Sequence, residues 1–296
     1  MHYEIKHEHH YIPKFHLNAW KNETGSLLLY RKVWRDKVEP REKQPAQICY
    51  KNDLYILRDD TFGSHSSRPD HVENELEKID DNAAKVHTKI LSGASLSALS
   101  ADDKRDWSIY VNSLLHRSPK RLEELDTLMK SIVTKTVDDI KACATVETHK
   151  TWDVCKSIFN ESSYGINHVR LQLLPIIKKS ETIDGLLAYE WNFLNLQDSI
   201  PFKFLLTEMP VVTFGEENNI YMLALALTPS LLWFAFPRLL RDSEDFGEVV
   251  KHVVMVYNGV QLLRKPGFII SNAMLTSDGL HNFDKAFKEF LRPSIS

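Results

Sequence analysis

The sequence predicts an α+β fold: one large domain over residues 1–296, with a helix-rich middle flanked by N-terminal and C-terminal strands. Three observations predict it. Apolar residues recur at helical spacing between about residues 70 and 160. Short aromatic and β-branched runs bounded by Gly, Pro and Ser occupy 1–60 and 185–296. No internal repeat or low-complexity tract divides the chain, and 296 residues suffice for one sizeable core.

Taken in order, Gly25-Ser26 marks a turn, and Leu27 to Trp34 reads as a strand. A charged loop with Pro40 and Pro45 follows, and then a second extended piece from Ile48 to Leu57. Asp59 to Asp70, which carries Gly63, Ser64, Ser66, Ser67 and Pro69, reads as a loop. Val72, Leu76, Ile79, Ala83, Val86 and Ile90 are spaced 4, 3, 4, 3 and 4, which puts them on one helical stripe. Asp70 is its candidate N-cap, and Gly93 lies just past its end. A second helix starts at Ser100, with Asp103 as capping partner, and buries Trp107, Tyr110, Val111, Leu114 and Leu115. Pro119 ends or re-caps it, after which Leu122 to Val133 continue the period. A further helix is expected around Trp152 to Phe159, with a change of character after about Tyr164. Ala188 to Phe193, Phe202 to Leu206, Ile220 to Leu227, Leu231 to Phe236 and Phe268 to Ile270 read as strands, and Glu248 to Leu263 as a helix.

Composition excludes several classes. A formal net charge of -3 gives no overall pull toward nucleic acid, so any such contact needs a local basic patch. Cys49, Cys143 and Cys155 are odd in number and lack CxxC spacing, which argues against a disulfide framework or cysteine zinc site and fits a reducing cytoplasm. The apolar run from Ile220 to Pro237 imitates a membrane span, but Thr228-Pro229-Ser230 breaks it. Two buried strands around a turn explain it better, so we expect a soluble cytoplasmic protein with no membrane partner and no obligate protein partner.

The most distinctive stretch is His9-His10-Tyr11-Ile12-Pro13-Lys14-Phe15-His16-Leu17-Asn18-Ala19-Trp20, preceded by further histidines at His2 and His7. Ragged termini are usually polar and poor in rings, so this segment is expected to be held down. Its side chains suit gripping a planar or anionic ligand. Plain core packing of Tyr11, Phe15, Leu17 and Trp20 is the competing reading, as is a structural role for each histidine. The histidines match neither the HExxH nor the zinc-finger spacing, so no metal is expected.

His9 to Leu17 resembles the opening of the bacterial domain of unknown function 4238 family, whose members begin His-His-Tyr-Val-Pro-x-Phe-x-Leu. Later markers fall in the family's order: Tyr55, the acidic helix Glu73 to Asp80, Arg117-Ser118-Pro119, Thr207-Glu208-Met209-Pro210-Val211, and Asn258. His16 replaces a frequent tyrosine and Glu208 stands where aspartate is usual. The resemblance implies an anti-phage defence protein acting on DNA, with excision of a modified base as its activity. A glycosylase must flip a base into a pocket, stabilise an oxocarbenium-like sugar and assist the leaving base, with no cofactor. On that reading His9, His10, Glu208 and Asn18 form the catalytic set, and Tyr11, Phe15, His16, Arg117, Lys120 and Asn258 contact base or DNA. Glu73 is a second candidate carboxylate, although a solvated acidic helix face also explains it. Two alternatives stay open: a metal-dependent nuclease using Glu208 with Glu73 or Asp80 and the histidines, and a non-catalytic sensor or binding module.

Overall fold

A computed structural model describes residues 5–32, 38–58, 68–161, 163–196, 203–216, 219–237, 246–264 and 266–272. The ring-rich opening is pinned at once: β1 (Glu8–His10) pairs antiparallel with β4 (Tyr50–Asn52), aligning His9 with Lys51 and His10 with Tyr50. Pro13 then precedes the short helix α1 (Lys14–Asn18). Strands β2 (Leu27–Lys32) and β3 (Val38–Lys43) follow as an antiparallel pair. The extended piece expected from Ile48 to Leu57 shortens to β4. Cys49 and Asp53 sit on either side of it with φ of 57° and 55°, and a left-handed residue ends a strand. Residues 59–67, most of the expected loop, lie outside the described residues, as do Val33, Trp34 and Phe202.

Helix α2 (His71–Leu91) buries the whole predicted stripe, and Gly93 follows it with a φ of 87° that a glycine adopts without strain. Asp70 stands at the N-cap position, but its carboxylate pairs with Arg68 rather than capping the helix. Helix α3 (Ala101–His116) begins as the sequence predicts. The Ser100 hydroxyl accepts from the Asp103 N–H, and the Asp103 carboxylate accepts from the Ser100 N–H. Ser118 caps α4 (Pro119–Cys143), with Pro119 in the first turn where its missing N–H costs nothing. Helix α5 (Val146–Glu161) follows.

The change of character expected after Tyr164 is a correction: α6 (Ser163–Ile177) and α7 (Ser180–Ala188) carry helix to residue 188. Gly165, Pro175 and Gly185 hide these helices locally, because each weakens helix propensity. Burial overrides them: Val169, Leu173 and Ile177 are in the core, and a Cβ at Gly165 would collide with the Phe159 carbonyl.

Strands of the C-terminal half enter two four-stranded antiparallel sheets. β5 (Glu190–Asn195), β7 (Val211–Glu216), β8 (Asn219–Ala226) and β9 (Leu231–Phe236) run in the order β5-β9-β8-β7. β8 and β9 are the expected hairpin, and the Thr228 hydroxyl accepts from the Ser230 and Leu231 N–H groups in its turn. β6 (Leu206–Thr207) and β10 (Ile269–Ser271) complete the other sheet in the order β3-β2-β10-β6, joining the two ends of the chain. Helix α8 (Phe246–Leu263) comes just before β10. The fold is α+β, with a helical middle and sheets built from both ends. Trp20, Trp107 and Trp233 are fully buried in one continuous core shared by the opening segment, the helices and the β8–β9 hairpin. Among the described residues no helix is long and apolar enough to cross a membrane.

Candidate functional site

Two of the motif histidines are consumed by the fold. The Tyr55 N–H donates to His9 Nδ1 at 2.9 Å, so the ring proton is on Nε2, which donates to the Lys6 carbonyl at 2.8 Å. His9 also stacks on Tyr55, with centroids 5.5 Å apart and planes within 7°. By the same logic His16 Nε2 donates to the Ala226 carbonyl at 3.0 Å, and its Nδ1 accepts from the Tyr110 hydroxyl at 3.1 Å. His16 is fully buried, and burial with nearby His87 pushes its pKa down to about 3. It therefore stays neutral and ties α1 to β8. His9→Leu is expected to destabilise the protein by about 2 kcal/mol, because it strands the Tyr55 N–H in a buried position. Urea denaturation measures this.

His10 is different. Its ring lies 5.5 Å from Tyr50, and its buried Nε2 has no hydrogen-bond partner. Burial, reinforced by Lys14 and Lys6, pushes its pKa down to about 4, so the ring is neutral near pH 7. It opens on a cleft of about 390 Å³ whose walls include Lys6, Lys14, Phe15, Glu73 and Asp80. Phe15 is half-buried, packing one side against His16, His87 and Tyr110.

Helix α2 supplies the carboxyls. Glu73 and Asp80 are seven residues apart, about two turns and 10 Å of helix axis, so they share a face. Glu73 is buried, and burial pushes its carboxyl up to about 7, although Lys6 lies 3.4 Å away and opposes the shift. Asp80 is pushed up to about 6 by burial against the pull of Arg117, whose Nη1 donates to its Oδ1 at 2.8 Å. Near neutral pH Glu73 is thus divided between its two forms, while Asp80 remains a carboxylate. Burial pulls the Lys6 ammonium down, but its contacts with Glu77 and Glu73 more than offset this and hold it above its ordinary range. Glu75, between them in sequence, turns away and pairs with Lys78 and Lys178. The acidic helix therefore has one solvated face and one cleft-facing one.

The remaining predicted residues are distributed elsewhere. Arg117, expected at a DNA phosphate, is fully buried behind the cleft: its guanidinium pairs with Asp80 and lies 5.7 Å from the Tyr110 ring centroid. A side chain without solvent access cannot reach a backbone phosphate. Its main-chain carbonyl accepts the Tyr55 hydroxyl at 2.6 Å, so the opening motif and Arg117-Ser118-Pro119 are linked through Tyr55. Lys120 is exposed at the start of α4, and Asn18 is exposed at the end of α1. Glu208 lies between β6 and β7, where both carboxylate oxygens accept from the Gly267 N–H at 3.2 Å. Its charge helps push up the Tyr11 phenol and the Cys49 thiol, although burial is the larger cause for both. Tyr11 and Cys49 line a separate cavity with Arg31 and Phe268. Asn258 is buried: its Oδ1 accepts from the Leu205 N–H and its Nδ2 donates to the Lys203 carbonyl, each at 2.8 Å. That amide stitches α8 to the irregular segment leading into β6.

The cleft thus gathers His10 and Phe15 from the expected set, adds Glu73, Asp80, Lys6 and Lys14, and leaves Glu208 and Asn258 apart. The signal for Asp80 was present in the sequence as a carboxylate two helical turns beyond Glu73. Among the described residues no group of three His, Cys, Asp or Glu side chains is arranged to hold a metal ion. No curated protein and no solved structure matches the chain. The family model described as "Protein of unknown function (DUF4238)" matches residues 8–272, from β1 to just past β10, and the chain belongs to that family.

Proposed function

We propose that this protein is a DNA glycosylase of anti-phage defence, excising a modified base at the cleft beside α2. The observation that carries the reading is the pair Glu73 and Asp80: two carboxyls on one helix face, both raised by burial, Glu73 to about 7 and Asp80, which Arg117 opposes, to about 6. Divergent carboxyls in one cleft are the arrangement that general acid chemistry on a glycosidic bond requires. Protonated Glu73 gives its proton to the departing base as the C1′–N bond breaks and the bonding electrons leave with the base. The Asp80 carboxylate, held anionic by Arg117, stabilises the oxocarbenium-like sugar and takes the proton of the water that adds to C1′. The half-buried Phe15 offers the base a ring face, and the neutral His10 ring lines the same cleft. Lys6 is held as an ammonium against the Glu77 carboxylate and is a poor nucleophile, so the product is an intact strand with an abasic site.

The test is incubation of the purified protein with modified phage DNA and with unmodified DNA. The expected result is released base and strands that break only after alkali, from the modified DNA. Intact strands and no free base from active, folded protein reject the reading. A second reading, the non-catalytic binding module, draws support from the saturation of His9, His16 and Asn258 by the fold. It predicts DNA retention with no base released.

A further inference from the structure

A second cavity lies away from that cleft and shares none of its lining. It measures about 700 Å³, within the range of small-molecule sites. The C-terminal end of α3, the start of α4, helix α7, strands β7 and β8 and the last residue after α8 enclose it. One wall is apolar, built from Leu114, Leu115, Leu186 and Leu223.

Its charges are informative. Glu124 pairs with Arg121 at 3.1 Å, and Glu181 pairs with Lys179 at 3.2 Å, so both acids that line it are neutralised locally. Arg264 has no carboxylate partner among the described residues. Its Nη1 is held by the Met209 and Val211 carbonyls, at 3.2 and 2.8 Å. Neutral carbonyls orient a guanidinium without cancelling its charge, and burial here disfavours that charge. The cavity also presents His116, whose buried Nδ1 has no hydrogen-bond partner. One uncompensated cation and apolar side chains facing the same space define a class of ligand.

We propose that this cavity binds a small amphipathic anion, its acidic group on Arg264 and its apolar or planar body against the leucine wall. A nucleoside monophosphate and a medium-chain carboxylate both have this chemistry. The proposal is independent of base excision and stands or falls separately.

Gly185 makes the test clean. It lines the cavity from α7, and a Cβ built there meets nothing within 4 Å, so Gly185→Leu adds bulk to the lining from a point with open space around it and replaces a poor helix former. Calorimetric titration of the full chain with thymidine monophosphate, thymidine and octanoate is the experiment. The expected result is saturable binding of at least one of the two anions, weakened about tenfold or more by Gly185→Leu with thermal stability kept or raised. Arg264→Lys, which keeps charge but loses the planar fork, is expected to weaken the same anion. Binding of the monophosphate alone assigns a nucleotide site, and binding of octanoate alone assigns a carboxylate site. No saturable binding of either anion, binding indifferent to Gly185→Leu, or thymidine binding as well as its monophosphate would overturn the proposal.

Discussion

Glu73→Gln is expected to make the protein more stable and inactive at once. Burial holds the Glu73 carboxyl at about 7, so above that pH the folded state carries a buried charge that the unfolded chain solvates freely. The sign follows from linkage. Between the ordinary glutamate range and pH 7 the folded state binds more protons than the unfolded one, so stability falls as pH rises through that window. The contribution of the neutral carboxyl is fully present at acid pH and lost above pH 7. At about 1.4 kcal/mol per pH unit, the loss amounts to roughly 3 kcal/mol. Glutamine keeps the shape of the neutral acid at every pH. The variant is therefore expected to gain on the order of 2–3 kcal/mol at pH 8, nothing at pH 4, and to lack this pH dependence. It has no proton to give, so release of base should be lost. Urea denaturation at the two pH values and a base-release assay read both effects. A variant destabilised at pH 8 would show that the ion pair with Lys6 outweighs burial of the charge, and full base release would remove Glu73 from the chemistry.

Arg117→Met is expected to be the most damaging substitution at this site. Arg117 is fully buried and is the partner of the Asp80 carboxylate. Removing the cation alone leaves that largely buried carboxylate without its partner and close to other acids, and breaking such a pair from one side costs about 3 kcal/mol or more. Adding Asp80→Asn should recover much of the loss, because Nε and Nη2 of Arg117 have no partner and the pair is not a fully satisfied network. The single variant should also be penalised less at pH 5 than at pH 8. Below about 6 the Asp80 carboxyl takes up a proton even with Arg117 present, and without it protonation is easier still. Equal destabilisation at both pH values, or a double variant no better than the single, would show that Arg117 supports the fold by packing alone.

Some of this was legible in the sequence because the physics involved is local. The α2 stripe, the Ser100–Asp103 capping box, the Ser118-Pro119 helix start and the Thr228 hairpin turn each depend on residues within a few positions of one another. Helices α6 and α7 were not legible, because Gly165 and Pro175 argue against helix locally and only burial against neighbouring elements reverses the balance. The site divides in the same way. Rings at positions 9–16 announced an anchored segment, and the anchoring is what β1, β4 and the His9 and His16 bonds supply.

By itself the sequence determined the helical middle, the strand-forming ends and the presence of an unusual ring-rich opening, since spacing and capping act over a few residues. Only the tertiary structure decided which chemistry-bearing side chains remain free to act. His9 and His10 are adjacent and chemically identical, yet one has both nitrogens bound by the main chain and the other has a nitrogen to spare. Glu73 and Glu75 share a helix, yet burial raises the first and two lysines hold the second well below the usual carboxylate range. Desolvation and hydrogen-bond saturation depend on what the rest of the chain packs against a group, and no local pattern encodes that.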